Sequence, residues 1–377
     1  RQRQMCIRDS PFTAANNHFG QAMPLAFSTS TIRNLTIGEP PQAGYVDRTV
    51  TITGTHSVSG EIKIYGGTII VDGTSNFLRA SSSISMVASA NIRILENLTT
   101  FGGNVWLQSR ALGAAVGGVF LNSSSINTNG GMFLASGGTS PLTQFAVGDS
   151  AVSTNDHIGI NIQTSVAIQT AGGEIVLRGS QGPTNDPDVG AGVFLGGSSS
   201  LNSGAGDIHI YGRLADQAAP ASNNEHAGIL IMNSSLTSTA GNISLTGDAT
   251  AITGTKADKR GVMIWPGNMT TTDGDISISG QLNSVGVDSH DVQVALGASN
   301  ATSAIRSTNG SISFFGNGAA PLTITSAEQR AGRAILLEDN APSITGTLTG
   351  SASVTIQSSG TSFTTVPSLA SLDFATT

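Results

Sequence analysis

Charge is scarce in this chain. Asp, Glu, Lys and Arg together make up 11% of its 377 residues, and aromatic residues only 5%. Cysteine is nearly missing: the one copy, Cys6, lies in the opening stretch RQRQMCIRDS. The body of the chain therefore offers neither a disulfide framework nor a thiolate metal site. Long apolar runs are lacking too. None approaches the roughly 18 residues a membrane-spanning helix requires, so direct membrane insertion is not expected. No secretory signal peptide opens the chain. The 17 basic residues are outnumbered by 24 acidic ones, for a net charge of −7. Without a basic stripe to neutralise phosphates, a nucleic-acid partner is not expected either.

What the chain has in abundance is glycine, 47 residues, and one phrase written repeatedly. The phrase is G-V-x-L, a Ser/Asn turn, a polar strand, G-G, and a second apolar strand. It reads GVFLNSSSINTNGGMFLASGG from Gly118, GINIQTSVAIQTAGGEIVLRGS from Gly159 and GVFLGGSSSLNSGAGDIHIYGR from Gly192. It continues as GILIMNSSLTSTAGNISLTGD from Gly228 and GVMIWPGNMTTTDGDISISGQ from Gly261. These starts lie 41, 33, 36 and 33 residues apart. Self-similarity at such a period marks a solenoid, whose units bury a core only by stacking. Low charge often accompanies disorder, but the apolar triplets VFL, INI, ILI and VMI supply burial that a disordered chain lacks.

Within each unit, apolar and small polar residues alternate between Gly and Ser/Asn clusters, the pattern of half-buried strands. Val119, Leu121, Ile126, Met132 and Leu134 are the expected inward residues of one unit, and Ile208, Ile210, Ile229 and Ile231 those of others. No stretch reads as an amphipathic helix; Leu214–His226 and Ala251–Arg260 read as loops. The repeat core is about 20 residues, three short strands and three turns, which suits one coil of a parallel β-helix. The expected fold is thus all-β, a single-stranded parallel β-helix of roughly ten coils, about 50 Å long at the strand spacing. The extra residues fall between G-x-I-x-L-x-G and the next G-V-x-L, so insertions are expected to gather on one edge.

The division along the chain follows. Residues 1–10 are basic and unlike the rest; they read as adapter- or vector-derived and are set aside from fold reasoning. Residues 11–48 read as an irregular lead-in or partial coils, and 49–377 as the β-helix, most regular over 118–281. The chain has no well-placed initiator Met and ends mid-pattern at Phe374-Ala-Thr-Thr. We expect an internal piece of a longer polypeptide continuing on both sides.

The phrases GEIKIYGGTIIVDG, GGNVWLQSR and GGVFLNSSSINTNGGMFLASGG, with Ser125–Gly131 and Gly241–Gly247 the most typical, carry a family resemblance. Over about residues 49–320 the chain resembles the repeat region of filamentous-haemagglutinin-like adhesins and the beta strand repeat surface proteins of Gram-negative bacteria. The resemblance implies a right-handed β-helix, secretion across the outer membrane, and residence outside the cell at the bacterial surface. It also implies surface glycans or proteins of host or microbe as partners.

Candidate sites are weighed against plainer roles. The corners Gly130-Gly131, Gly206-Asp207, Gly241-Asn242 and Gly274-Asp275 are expected to need positive φ. Asp273 and Asp275 suggest calcium, but a stacked turn explains them better. The Asn-Ser runs at Asn122, Asn233 and Asn268 read as turn ladders rather than glycosylation acceptors. More informative is the segment before each G-V-x-L strand. It carries Asp156 and His157, Asp186 and Asp188, Glu225 and His226, Asp258 with Lys259 and Arg260, Asp288 with His290 and Asp291, and Glu328 with Arg330. Stacked in register, these form an edge ladder. A solvated edge is its plain reading, contact with glycan or divalent cation the second, and polysaccharide cleavage the third. Trp106, Trp265, Tyr65 and Tyr211 are candidate sugar platforms, with packing the plainer role. No P-loop, G-x-S-x-G, H-E-x-x-H or dinucleotide fingerprint occurs, so no cofactor and no catalysis are expected. The functional expectation is a structural and adhesive solenoid, with a carbohydrate-active β-helix enzyme or a passive stalk as alternatives.

Overall fold

The computed structural model describes residues 4–7, 17–19, 33–41, 49–73, 77–149, 157–183, 190–215, 226–251, 259–283, 289–294, 303–317, 320–324, 328–345, 347–360, 362–363 and 367–369. Every element among them is a β-strand. One representative coil runs through Ile208–Arg213, His226–Ile231 and Ser234–Ser238, then begins again at Ile243–Ala249. The three strands of a coil belong to three sheets, here A, B and C, in which each strand pairs in parallel with its counterpart one coil on. The sheets hold 14, 13 and 11 strands. This is a parallel β-helix.

The stack is longer than the roughly ten coils read from the sequence. Asn34–Ile37, in the stretch read as an irregular lead-in, joins it at one end, and Ser353–Gln357, where the repeat phrase is altered, joins it at the other. Gln4–Ile7, within the stretch set aside on sequence grounds, pairs in parallel with Asn34–Ile37. The strand spacing gives a rod of about 60 Å.

Register explains the core. In sheet A, Ile175, Ile208, Ile243, Ile276, Ile312 and Ile335 lie above one another. Ile160, Val193, Ile229, Val262 and Val292 do the same in sheet B, and Ile126, Ile168, Leu201, Leu236 and Met269 in sheet C. All are buried in one continuous cluster that fills the prism. Each such side chain contributes about 1.5–3 kcal/mol on burial. Period-two alternation sets most of these residues correctly, but one coil is out of phase. Phe133 and Ala135 join the core cluster rather than Met132 and Leu134, because they pair with Ile175 and Leu177. The run Met-Phe-Leu is apolar on both faces, so alternation cannot fix which face points in.

Turns are stitched by ladders of polar side chains. Asp207 Oδ1 accepts from Asn242 N (2.6 Å), Asn242 Oδ1 from Asp275 N (2.8 Å), and Asp275 Oδ1 from Ser311 N (2.7 Å). Beside it, Ser238, Thr271 and Ser307 donate to the Gly206, Gly241 and Gly274 carbonyls of the preceding coil, at 3.1, 3.1 and 2.7 Å. Asp275 thus serves as a rung, and Asp273 accepts from Asn309 Nδ2 (2.7 Å).

The corner glycines differ in cause from the sequence expectation. Gly130 has φ +109°, as expected, but no left-handed φ occurs at Gly131, Gly206, Gly241 or Gly274. Those four are required by close approach: a methyl group at Gly241 would lie 2.0 Å from the Gly206 carbonyl oxygen, and at Gly274 2.1 Å from that of Gly241. The corner is a column of backbone on backbone.

Candidate functional site

In four of the long coils the extra residues lie between sheet A and sheet B, whereas residues 295–303 separate a sheet B strand from the next sheet C strand. Segments 181–189, 214–225, 250–258 and 283–289 connect the ends of sheet A strands to the starts of sheet B strands. At this corner the two sheets touch through glycine. A methyl group at Gly179, Gly212 or Gly247 would lie 2.1, 2.0 or 1.9 Å from the carbonyl oxygen of Gly192, Gly228 or Gly261. The pinch closes the main prism. Beyond it the strands continue, and smaller buried groups form, one of them Leu214, Ala249, Leu282 and Ala320.

The described ladder residues up to Asp291 belong to this extension. Asp156, Asp186, Asp188, Glu225, Asp258 and Asp288 lie outside the described residues. His157, His226 and Asp291 are buried rather than displayed, and His290 is half-buried, its Nδ1 3.0 Å from Thr323 Oγ1. His226, expected at the end of a loop, opens a sheet B strand, and Lys259 and Arg260 open the next. They occupy two neighbouring rows instead of one column. His226 pairs with Lys259 in register, whereas Arg260 pairs with Ala227 and His290.

Burial sets the electrostatics of these rows. His226 is 1% exposed, and neither ring nitrogen has a hydrogen-bond partner among the described residues. Desolvation, helped by the charge of Arg260, pushes its pKa down to about 4, so it is neutral at pH 7. Desolvation also lowers the pKa of fully buried Lys259. Further along the rod, Asp291 and Asp339 are both fully buried, and each brings its Oδ2 close to Gly316. Desolvation raises the pKa of Asp339, against hydrogen bonds from Ala341 N, Leu322 and Asp291. Sequence reading missed Asp339, and it placed Lys259 and Arg260 on an exposed edge, whereas both are buried.

Among the described residues no three His, Cys, Asp or Glu side chains converge as metal ligands. A small recess on sheet B is lined by Asn91, Arg93, Phe120, Asp149 and Asn161. There Asn91 Nδ2 donates to Asp149 Oδ2 (2.9 Å) and Arg93 lies 5.4 Å from the Phe120 ring. Of the aromatic candidates, Trp265 packs against a buried cluster with Leu230 and Met263, while Tyr65 and Trp106 are half-buried. Tyr211 lies under an arginine on the outer face of sheet A.

The fold and this geometry define the class of the molecule, a parallel β-solenoid with polar corner ladders. No protein-family model, curated protein or solved structure matches the chain.

Proposed function

We propose that the chain is a structural and adhesive segment of a large secreted or surface-exposed bacterial protein. It acts as a stiff spacer at the cell surface that presents loops and sheet faces to glycans or proteins of host or microbial origin. The observation that supports this reading is the continuous parallel pairing of three sheets from coil to coil, with most of the chain-length variation at the corner between sheets A and B. A rod built this way holds many equivalent surfaces at fixed spacing, so weak contacts add through effective concentration. No chemical step is required of it.

The test is adhesion by the intact chain. Beads coated with residues 1–377 should bind bacterial or epithelial surfaces more than beads coated with an inert protein, and the gain should grow with coating density. Equal adhesion at every density refutes the adhesive role and leaves a passive stalk. Depolymerisation of pectin, alginate or a glycosaminoglycan, read as new unsaturated or reducing ends, favours the carbohydrate-active enzyme instead.

A further inference from the structure

Winding gathers arginines that are far apart in sequence. Arg178 and Tyr211 are register partners on the outer face of sheet A, and the guanidinium lies 3.9 Å from the ring centroid. Arg213, two residues beyond Tyr211, lies 4.4 Å from the Phe145 ring, which Arg178 also approaches at 6.0 Å. Phe145 reaches this place because residues 138–145 leave sheet A, and Ala146–Val147 then return to pair with Gly179–Ser180. Arg110 anchors the excursion: its Nε donates to the Ala114 carbonyl (2.6 Å) and its Nη1 to that of Phe145 (2.9 Å). Its pKa is lowered, first by desolvation and then by the charge of Arg213.

Little in the protein answers this charge. The side chains of Arg178 and Arg213 make no hydrogen bond and no ion pair among the described residues. Arg178 Nε is buried without a partner. Asp248 pairs with Arg213 in register, but its Oδ1 accepts from Thr250 N (2.8 Å) and Thr250 Oγ1 (2.6 Å). A guanidinium stacked on a ring keeps its in-plane donors free for a planar anion. The neighbouring surface is a row of hydroxyls. Thr246 and Ser279 continue the Arg178–Tyr211 row, and Ser244, Ser277 and Ser313 form the row beside it. All five are half-buried, and they recur at about 4.8 Å, close to the length of one pyranose residue in a linear glycan.

We propose that this face of sheet A binds a linear polysaccharide bearing carboxylates. Arg178 and Arg213 fork onto the carboxylates, and the hydroxyl rows meet the hydroxyls of successive sugars. Three clustered arginines on a chain of net charge −7 disfavour nucleic acid, whose affinity needs many phosphate contacts. An extended acidic peptide lacks the repeated hydroxyls that the Ser/Thr rows match. The inference rests on the adhesive reading and names its ligand.

The experiment measures binding of the whole chain to immobilised polygalacturonate, hyaluronan, heparin, dextran and duplex DNA, with R178Q/R213Q and R178K as variants. Far-UV circular dichroism and an unchanged melting point confirm that each variant folds. Polygalacturonate and hyaluronan should bind and weaken with salt. R178Q/R213Q should bind about tenfold more weakly or worse, from the loss of charge-assisted hydrogen bonds, and R178K should fall between. Equal binding by the folded double variant overturns the site, as does equal binding to dextran or DNA. Binding to heparin alone overturns the carboxylate assignment. Cell adhesion that survives in R178Q/R213Q places the failure in this site and leaves the adhesive reading intact, whereas adhesion absent from both proteins sinks the two together.

Discussion

Replacing Gly241 with alanine tests the corner column directly. The new methyl group would meet Gly206 O at 2.0 Å, Gly206 C at 2.3 Å and Asp207 N at 2.7 Å, all of them backbone atoms. No side chain can swing away, so the two coils must part by about 1 Å, roughly a fifth of the strand spacing. That opening strains Ile208 N to Asn242 O (2.8 Å) and Asn242 N to Asp207 Oδ1 (2.6 Å). Two weakened hydrogen bonds cost about 1–3 kcal/mol, and overpacking alone costs a similar amount, so the sum is about 2–6 kcal/mol. Gly130→Ala is the control. It has φ +109° and open space where the methyl would go, so only conformational strain applies, about 1–2 kcal/mol. Urea unfolding followed by circular dichroism checks both. Stability in a stacked array is a sum of neighbour terms, so Gly241→Ala should also split the transition into two. A Gly241→Ala protein that unfolds in one step, at a urea midpoint no lower than Gly130→Ala, refutes the backbone-contact argument.

Further outcomes follow from burial and charge. Leu245→Ala, in the middle of a fully buried row, should cost about 2–5 kcal/mol in the same urea assay. Because the folded pKa of His226 lies below its ordinary value, its contribution is complete above about pH 6.5 and is lost as pH falls toward 4. The loss should reach about 3 kcal/mol and be read as a drop in melting temperature that His226→Met flattens; an unchanged acid limb in that variant counts against burial as the cause. Asp339 has the opposite sign. Its raised pKa favours the fold at low pH and weakens it as pH rises through the folded value. Asp339→Asn should therefore melt no lower than the parent at pH 7 and remove that decline.

The prism was legible because burial repeats: G-x-I-x-L-x-G and G-V-x-L place Ile208, Ile210, Ile229 and Ile231 inward, where they lie fully buried. Legibility fails where both faces are apolar, as in Met132–Leu134, and where the repeat phrase decays toward the chain ends. Glycine was legible as a requirement but not in its reason, since contact with the preceding coil is invisible until coils are stacked. The arginine patch was hidden more deeply. Arg110, Arg178 and Arg213 are ordinary outward residues in separate coils, and only the excursion ending at Phe145 brings them together. The pattern carried period and phase; it carried nothing about what a loop would lay across a face.

In the three sheets the strand pairing runs along the axis of the rod, each strand bonded to its counterparts in the coils before and after. Tension applied end to end therefore loads every rung of the weakest junction at once. When that junction yields, a single turn unwinds while its neighbours stay wound. A 33-residue turn such as Gly228 to Gly261 releases roughly 110 Å of thread. Under drag, such a molecule lengthens in instalments and absorbs a pull that would snap a more brittle tether.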